Sequence, residues 1–61
     1  MAMVRVVRYG IEWIKIGKLY FPTKEGMEIS GIYGGVDEET FNDVKRLKRI
    51  SANPGYFNSF I

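Results

Sequence analysis

Ile11-Glu12-Trp13-Ile14-Lys15-Ile16-Gly17-Lys18-Leu19-Tyr20-Phe21 decides the fold, because two runs rich in β-branched and aromatic residues flank a pair of turn residues. Gly17 supplies the positive φ that primed two-residue turns require, so Gly17-Lys18 is read as the turn of a hairpin. The hairpin joins a strand over Ile11–Ile16 to one over Leu19–Phe21. Pro22 has no N–H to give a ladder and should end its strand or lie at a sheet edge.

Toward the N-terminus, Val4 to Tyr9 reads as another strand, broken from Ile11 by Gly10. Val4, Val7, Ile11 and Ile14 also recur at helical spacing. Gly10 in the interior and the β-branched content of residues 4–16 oppose a helix, since branching at Cβ restricts χ1 there. The strand reading leads, and the helix stays open as its alternative.

Toward the C-terminus, Thr23-Lys24-Glu25-Gly26 and Gly34-Gly35 mark breaks. Between them Met27, Ile29, Gly31 and Tyr33 alternate with Glu28, Ser30 and Ile32, which predicts a strand over Met27–Tyr33 with one mostly apolar face. A helix follows over about 37–50. Asp37 can cap its first turn, and Val36 can pack on Phe41 as a staple. Asp37, Glu38 and Glu39 stand at the positive end of the helix dipole, and Lys45, Arg46, Lys48 and Arg49 at the negative end. Phe41, Val44 and Leu47 form its inward stripe, and Asn53-Pro54-Gly55 stops it. The tail, Gly55 to Ile61, is apolar to its last residue. Such a tail packs on its own domain, as a strand or arm, or docks on another subunit.

The fold class is therefore α+β: an antiparallel meander of three to four strands packed against one helix in the C-terminal half, with a short apolar tail. Residues 1–61 make a single small domain. The expected core is Val4, Val6, Ile14, Ile16, Leu19, Phe21, Met27, Ile29, Phe41, Val44, Leu47 and Phe57.

Composition narrows the chemistry. A chain of 61 residues buries about 60% of the surface it exposes when unfolded, and stability at that size is marginal. The sequence has no Cys and no His, so it offers no disulfide, no thiolate nucleophile and no imidazole base. Soft metal ligands are missing for the same reason, and the carboxylates show no calcium-loop spacing. Catalysis by the chain alone is not expected, nor is a cofactor or metal. No apolar run approaches the roughly 20 residues of a membrane span, and Met1 to Tyr9 shows no signal-peptide pattern. A cytoplasmic location is the expectation.

The net charge of +2 permits anionic partners without requiring them. Lys45, Arg46, Lys48 and Arg49 crowd two helical turns, where they could contact phosphates or simply solvate an outer face. Arg5, Arg8, Lys15, Lys18 and Lys24 interleave in the strand region with Tyr9, Trp13 and Tyr20, a combination single-strand binders use for stacking. In both cases the plainer alternative is an ordinary surface or a satisfied core residue.

Two resemblances bear on this. Trp13-Ile14-Lys15-Ile16-Gly17-Lys18-Leu19, then Pro22, then Lys24-Glu25-Gly26-Met27-Glu28, resembles the recognition-helix-to-wing segment of phage excisionases and related winged-helix proteins. Leu47-Lys48-Arg49-Ile50 resembles a basic segment late in some of them. That likeness implies a DNA-bending protein that directs a recombinase. Separately, three strands before a helix, with Gly31-Ile32-Tyr33 ahead of Asp37-Glu38-Glu39, is similar to the sheet-type DNA-binding domains of plant factors and integrase arms. It implies that the sheet enters the major groove and that Arg5, Arg8, Lys15 and Lys18 make the contacts.

The leading expectation is a small nucleic-acid-binding or regulatory module of microbial, phage or plasmid type, with DNA or RNA as partner. Its phosphate contacts would be Lys45, Arg46, Lys48, Arg49, Arg5, Arg8, Lys15 and Lys18. The alternative is a protein-interaction module (inhibitor, assembly factor, small subunit or homodimer) using exposed aromatics and the tail residues Tyr56, Phe57, Phe60 and Ile61. An excisionase-like protein comes third, and a purely structural or designed mini-domain after it.

Overall fold

The computed structural model describes residues 2–61; Met1, part of the stretch read for a signal peptide, lies outside them. Four antiparallel strands follow one another in chain order across a single sheet: β1 (Met3–Arg8), β2 (Ile11–Ile16), β3 (Leu19–Pro22) and β4 (Val36–Asp37). The hairpin of residues 11–21 forms as expected, with Ile16 opposite Leu19 and Gly17 at φ 61° in the turn. Tyr9 and Gly10 make the first turn, both at positive φ, as a two-residue primed turn demands. Left-handed geometry is uncommon for a tyrosine, so its surroundings must hold it. The Tyr9 hydroxyl donates to the Phe41 carbonyl at 2.8 Å, and the Tyr56 hydroxyl donates to the Tyr9 carbonyl.

The register fixes two faces. Val6, Trp13 and Pro22 share one side with Val4, Lys15, Tyr20 and Val36. Arg5, Ile14 and Phe21 form a row on the other, beside a row of Met3, Ile16, Leu19 and Asp37. Helices cover the first side only. The core there is Ile11, Trp13, Tyr20, Ile32, Val36, Phe41, Leu47 and Phe57.

Two short helices replace the single one expected over 37–50, and a third forms where a strand was expected. Residues 24–30, within or beside the strand expected over Met27–Tyr33, form α1 (Lys24–Ser30). Thr23 caps it, its Oγ1 accepting from Gly26 N at 3.2 Å, and Gly31 closes it at φ 73°. The helix turns Gly26 and Ser30, not an apolar stripe, inward. A Cβ on Gly26 would stand 3.3 Å from the Glu12 carbonyl oxygen, so the small residue permits close approach to β2. Ser30 is wholly buried, yet its hydroxyl donates to Gly26 O and accepts from Ile32 N. Alternation of Met27 and Ile29 with polar residues thus mimics a strand because the packing side of this helix carries no large apolar group. The fourth strand lies later, at β4.

The predicted helix over 37–50 breaks at Asn42. α2 (Glu38–Phe41) is capped by Asp37, whose Oδ1 accepts from Thr40 N at 2.8 Å. α3 (Val44–Ile50) takes a second cap, Asp43, whose Oδ1 accepts from Lys45 N and Arg46 N. Asp43 could be read as a mid-helix acid, but Asn-Asp offers the backbone an alternative to the helical ladder. The Val36 and Phe41 pair expected as a staple is buried in the core.

The apolar tail packs on its own domain, as a 3-10 helix (Pro54–Phe60) rather than a strand, with Phe57 buried. Leading into it, Ser51 Oγ donates to Ser30 O, Ala52 N to Gly31 O at 2.8 Å and Asn53 Nδ2 to Ile29 O at 3.1 Å. These bonds satisfy carbonyls that the end of α1 leaves without helical partners.

The expected core needs correction on its sheet residues. Phe41, Leu47 and Phe57 are buried, and Val6 and Val44 pack at the core margin. Val4, Leu19 and Ile29 are exposed, while Ile14, Ile16, Phe21 and Met27 are half-buried. Ile11, Trp13 and Tyr20 hold the inward positions instead. The first three strands are where they were expected, but on β2 and β3 the inward and outward residues are exchanged, while Val4 and Val6 of β1 keep the covered side.

Gly31 and Gly17 both lie at positive φ, but a Cβ on Gly31 would overlap the Ala52–Asn53 backbone, whereas among the described residues one on Gly17 meets nothing within 4 Å. Gly17→Ala is expected to cost about 1 kcal/mol from the left-handed geometry alone, and Gly31→Ala at least about 2 kcal/mol. Urea denaturation of the two variants measures the difference.

Candidate interaction surface

On β2 the chain reads Ile-Glu-Trp-Ile-Lys-Ile, apolar on both sides. Trp13 settles which side is covered. Its side chain is fully buried, its Nε1 donates to Arg8 O at 3.1 Å, and its ring meets Phe41 edge-on at 5.0 Å. Tyr20 stacks flat on Phe41 at 3.8 Å, so the one-turn helix α2 is pinned to the sheet by aromatic contacts. Strand alternation then sends Ile14, Ile16 and Phe21 to the opposite side, which no helix covers. Met3, Val7 and Leu19 join them there, 69%, 73% and 43% exposed. Arg5 and Glu12 are charged on that side by register; Asp37 stands in register with Leu19, but its carboxylate caps α2 through Thr40 N. The open face is thus an apolar field with one acid and one base at its margins.

The sequence-predicted basic residues fall into separate places. Arg5 lies on the open face, in the row of Ile14 and Phe21. Arg8 lies on the covered side, its guanidinium 5.4 Å from the Tyr9 ring and 5.2 Å from the Phe41 ring, and donates to Asn42 Oδ1. Lys15 is also on the covered side, with Nζ 5.5 Å from the Tyr20 ring. These two cations sit over aromatic rings. Lys18 occupies the exposed β2–β3 turn. Lys45, Arg46, Lys48 and Arg49 are on α3, which packs against α2 and the C-terminal 3-10 helix. Arg46 is compensated, 3.3 Å from Glu39 and 3.8 Å from Asp43. Arg5 and the α3 cations therefore belong to different layers and do not merge into one stripe.

The segments behind the two resemblances take other forms here. Trp13 to Ile16 is a strand where a recognition helix was implied, and Lys24 to Glu28 is helical where a wing was implied. The sheet face that a groove-reading domain would present is mostly apolar. Of the tail residues read as an interaction arm, Phe57 is in the core and Tyr56 is half-buried against it. Phe60 and Ile61 stay exposed.

Hydrogen bonding from Thr40, side chain and backbone, holds the Asp37 carboxyl below its ordinary value, with attraction from Arg46 in the same direction. It is an anion at neutral pH. An open depression of about 410 Å³ lies between the first turn and α1, lined by Glu12, Lys24, Glu25 and Ile29 among others. Among the described residues there is no group of three or more carboxylates placed to hold a metal ion, and no helix is long and apolar enough to cross a membrane. No known protein family, curated protein or solved structure matches the chain.

The open face is the feature that sequence reasoning missed. Its signal lies in β2, where apolar residues occupy both parities, so that alternation alone does not choose between Ile14 with Ile16 and Ile11 with Trp13 as the inward set. The two sides should respond differently to substitution. Trp13→Ala is expected to cost about 3–5 kcal/mol, whereas Ile14→Lys should leave a folded protein within about 1 kcal/mol of the parent. Thermal and urea unfolding followed by circular dichroism compares them.

Proposed function

We propose that this chain is a protein-interaction module that works by surface contact through the open face of its sheet. The observation that carries the reading is that β1, β2 and β3 all place apolar side chains on the uncovered side: Met3 and Val7, Ile14 and Ile16, Leu19 and Phe21. Antiparallel sheets with one solvated face normally alternate apolar with polar residues. A contiguous apolar field on a small domain instead marks a contact surface. The lack of imidazole and thiol supports binding over bond-making.

The test is site-specific photo-crosslinking in cells of a suitable expression host and in its natural source. Val7→p-benzoylphenylalanine and Leu19→p-benzoylphenylalanine should give discrete adducts on irradiation. Lys45→p-benzoylphenylalanine, on α3, should give none. Equal yields at all three positions, or none at Val7 and Leu19, would rule the reading out.

A second reading, nucleic-acid binding, is favoured by one observation. Lys45, Lys48 and Arg49 project from α3 with no acidic partner within 4 Å among the described residues. Three phosphate contacts from α3 correspond to a fall of log affinity for mixed-sequence DNA against log salt with a slope of about −2.7. Joint replacement of the three by alanine should abolish that binding. Absence of binding at low salt would remove the reading.

A further inference from the structure

We infer that the outer edge of β1 is a strand-addition site, where an extended peptide segment carrying a carboxylate joins the sheet beside β1. The inference goes beyond the face reading above, because its occupant is held through the backbone of one strand at the rim. Ladder phase places the binding groups. Arg8 and Ile11 close a two-residue turn, so they exchange both N–H···O bonds, and every second pair along the strands does the same. Val4, Val6 and Arg8 therefore bond to β2, and the N–H and C=O of Met3, Arg5 and Val7 point away from it. Ile16 and Leu19 close the next turn in the same way, which directs Ile14 and Ile16 to β3 and agrees with that phase. Among the described residues, nothing else in the chain bonds to those outward groups.

Sheet edges are normally blunted by shortness, a proline, a bulge, or cover from a helix or loop. The β4 edge is blunted, being two residues long. β1 is not. It runs for six residues without a proline, and its register with β2 is unbroken by a bulge. Among the described elements, β2 is the one whose backbone runs beside it, and Met3, Val4 and Val7 are each more than half exposed. An unpaired strand edge of this length is complementary to one kind of ligand, another extended backbone.

Charge narrows the choice. Arg8 is engaged with Asn42 and with the Tyr9 and Phe41 rings. Arg5 is exposed in the middle of the edge, with no acid within 4 Å among the described residues. A cation there attracts an acid placed directly across the ladder and repels another cation. Met3 and Val7, two residues away on the same side, call for apolar neighbours. The segment that fits reads apolar-x-acid-x-apolar, with β-formers at x beside Val4 and Val6. A second copy of β1 fits less well. Pairing Met3 with Val7 sets Arg5 against Arg5, and shifting past that clash leaves Met3 or Val7 beyond the paired strands.

The test is a titration of the full chain with the capped peptide Ser-Val-Thr-Glu-Thr-Val-Ser up to about 1 mM, followed by NMR and amide hydrogen exchange. Exchange at Arg5 and Val7 should slow by at least about tenfold in the complex. N-methylation of both peptide valines, whose N–H groups face β1, should abolish binding. N-methylation of both threonines, which face away, should change Kd by less than about threefold. The peptide with Lys in place of Glu should bind at least about fivefold more weakly, and Arg5→Glu should reverse that preference with an unchanged circular dichroism spectrum. Leu19→Lys, on the open face at β3, should leave the peptide Kd within about threefold of the parent.

No binding, equal loss from the two N-methylated peptides, or a Glu and Lys order indifferent to Arg5→Glu would each overturn the inference. Binding that Leu19→Lys abolishes, with Arg5 and Val7 amides unprotected, would overturn the edge site and leave the face reading standing. Slowed exchange at those amides on concentrating the protein alone, without response to the peptide, would overturn it in favour of pairing between copies of β1.

Discussion

Everything about this molecule's surfaces follows from the two-residue period of β2, locked in phase by the burial of Trp13 against Phe41. A strand cannot turn one side chain inward without turning its neighbours outward. Once Trp13 and Ile11 are in the core, Ile14 and Ile16 face away, and the register carries the decision to Arg5 on β1 and Phe21 on β3. Phe41 supplies the lock. It meets Tyr9, Trp13 and Tyr20, which come from the first turn, β2 and β3. A one-turn helix has little stability of its own, so these contacts, with the Asp37 cap, keep α2 in place.

The parts of the fold that were legible are those where local chemistry has one outcome. Gly17-Lys18 between two β-rich runs gave the hairpin, and Asp37 ahead of two glutamates gave a helix start. The α+β class and the meander follow from these. Phase was not legible, because β2 is apolar at both parities and Trp13 competes with Ile14 for the inward position. Neither was α1, since its inward residues are Gly26 and Ser30, chosen by closeness to β2 rather than by apolarity. Thr23 as a cap was the available sign of that helix, and Asn42-Asp43 the sign of the break between α2 and α3.

Charge proved a poor guide to the site because several ionic groups have local duties. Asp37 and Asp43 cap helices, and Arg46 is held by Glu39 and Asp43. Arg8 and Lys15 lie over aromatic rings at the margin of the covered side. What looks in the sequence like two basic clusters becomes, in three dimensions, a few separated cations with different neighbours. Exposed pairs such as that of Arg46 contribute little stability, but they do reduce the charge α3 can offer a phosphate backbone.

The apolar character of the open face is not explained by the folding of one chain. Ile14, Ile16 and Phe21 are half-buried, the Phe21 ring lying against Gly35, while Met3 and Val7 remain largely in water and Leu19 partly so. Polar β-formers such as threonine would fit the same backbone and give the sheet the alternation of a solvated face. The covered side already contains the Trp, Tyr and Phe side chains that hold the helices, so the opposite side is free to be polar as far as the monomer is concerned. A domain this small gains little from oily surface that stays wet, and gains directly from any contact that dries it. The composition of that face is therefore the ground on which the proposed contact surface rests.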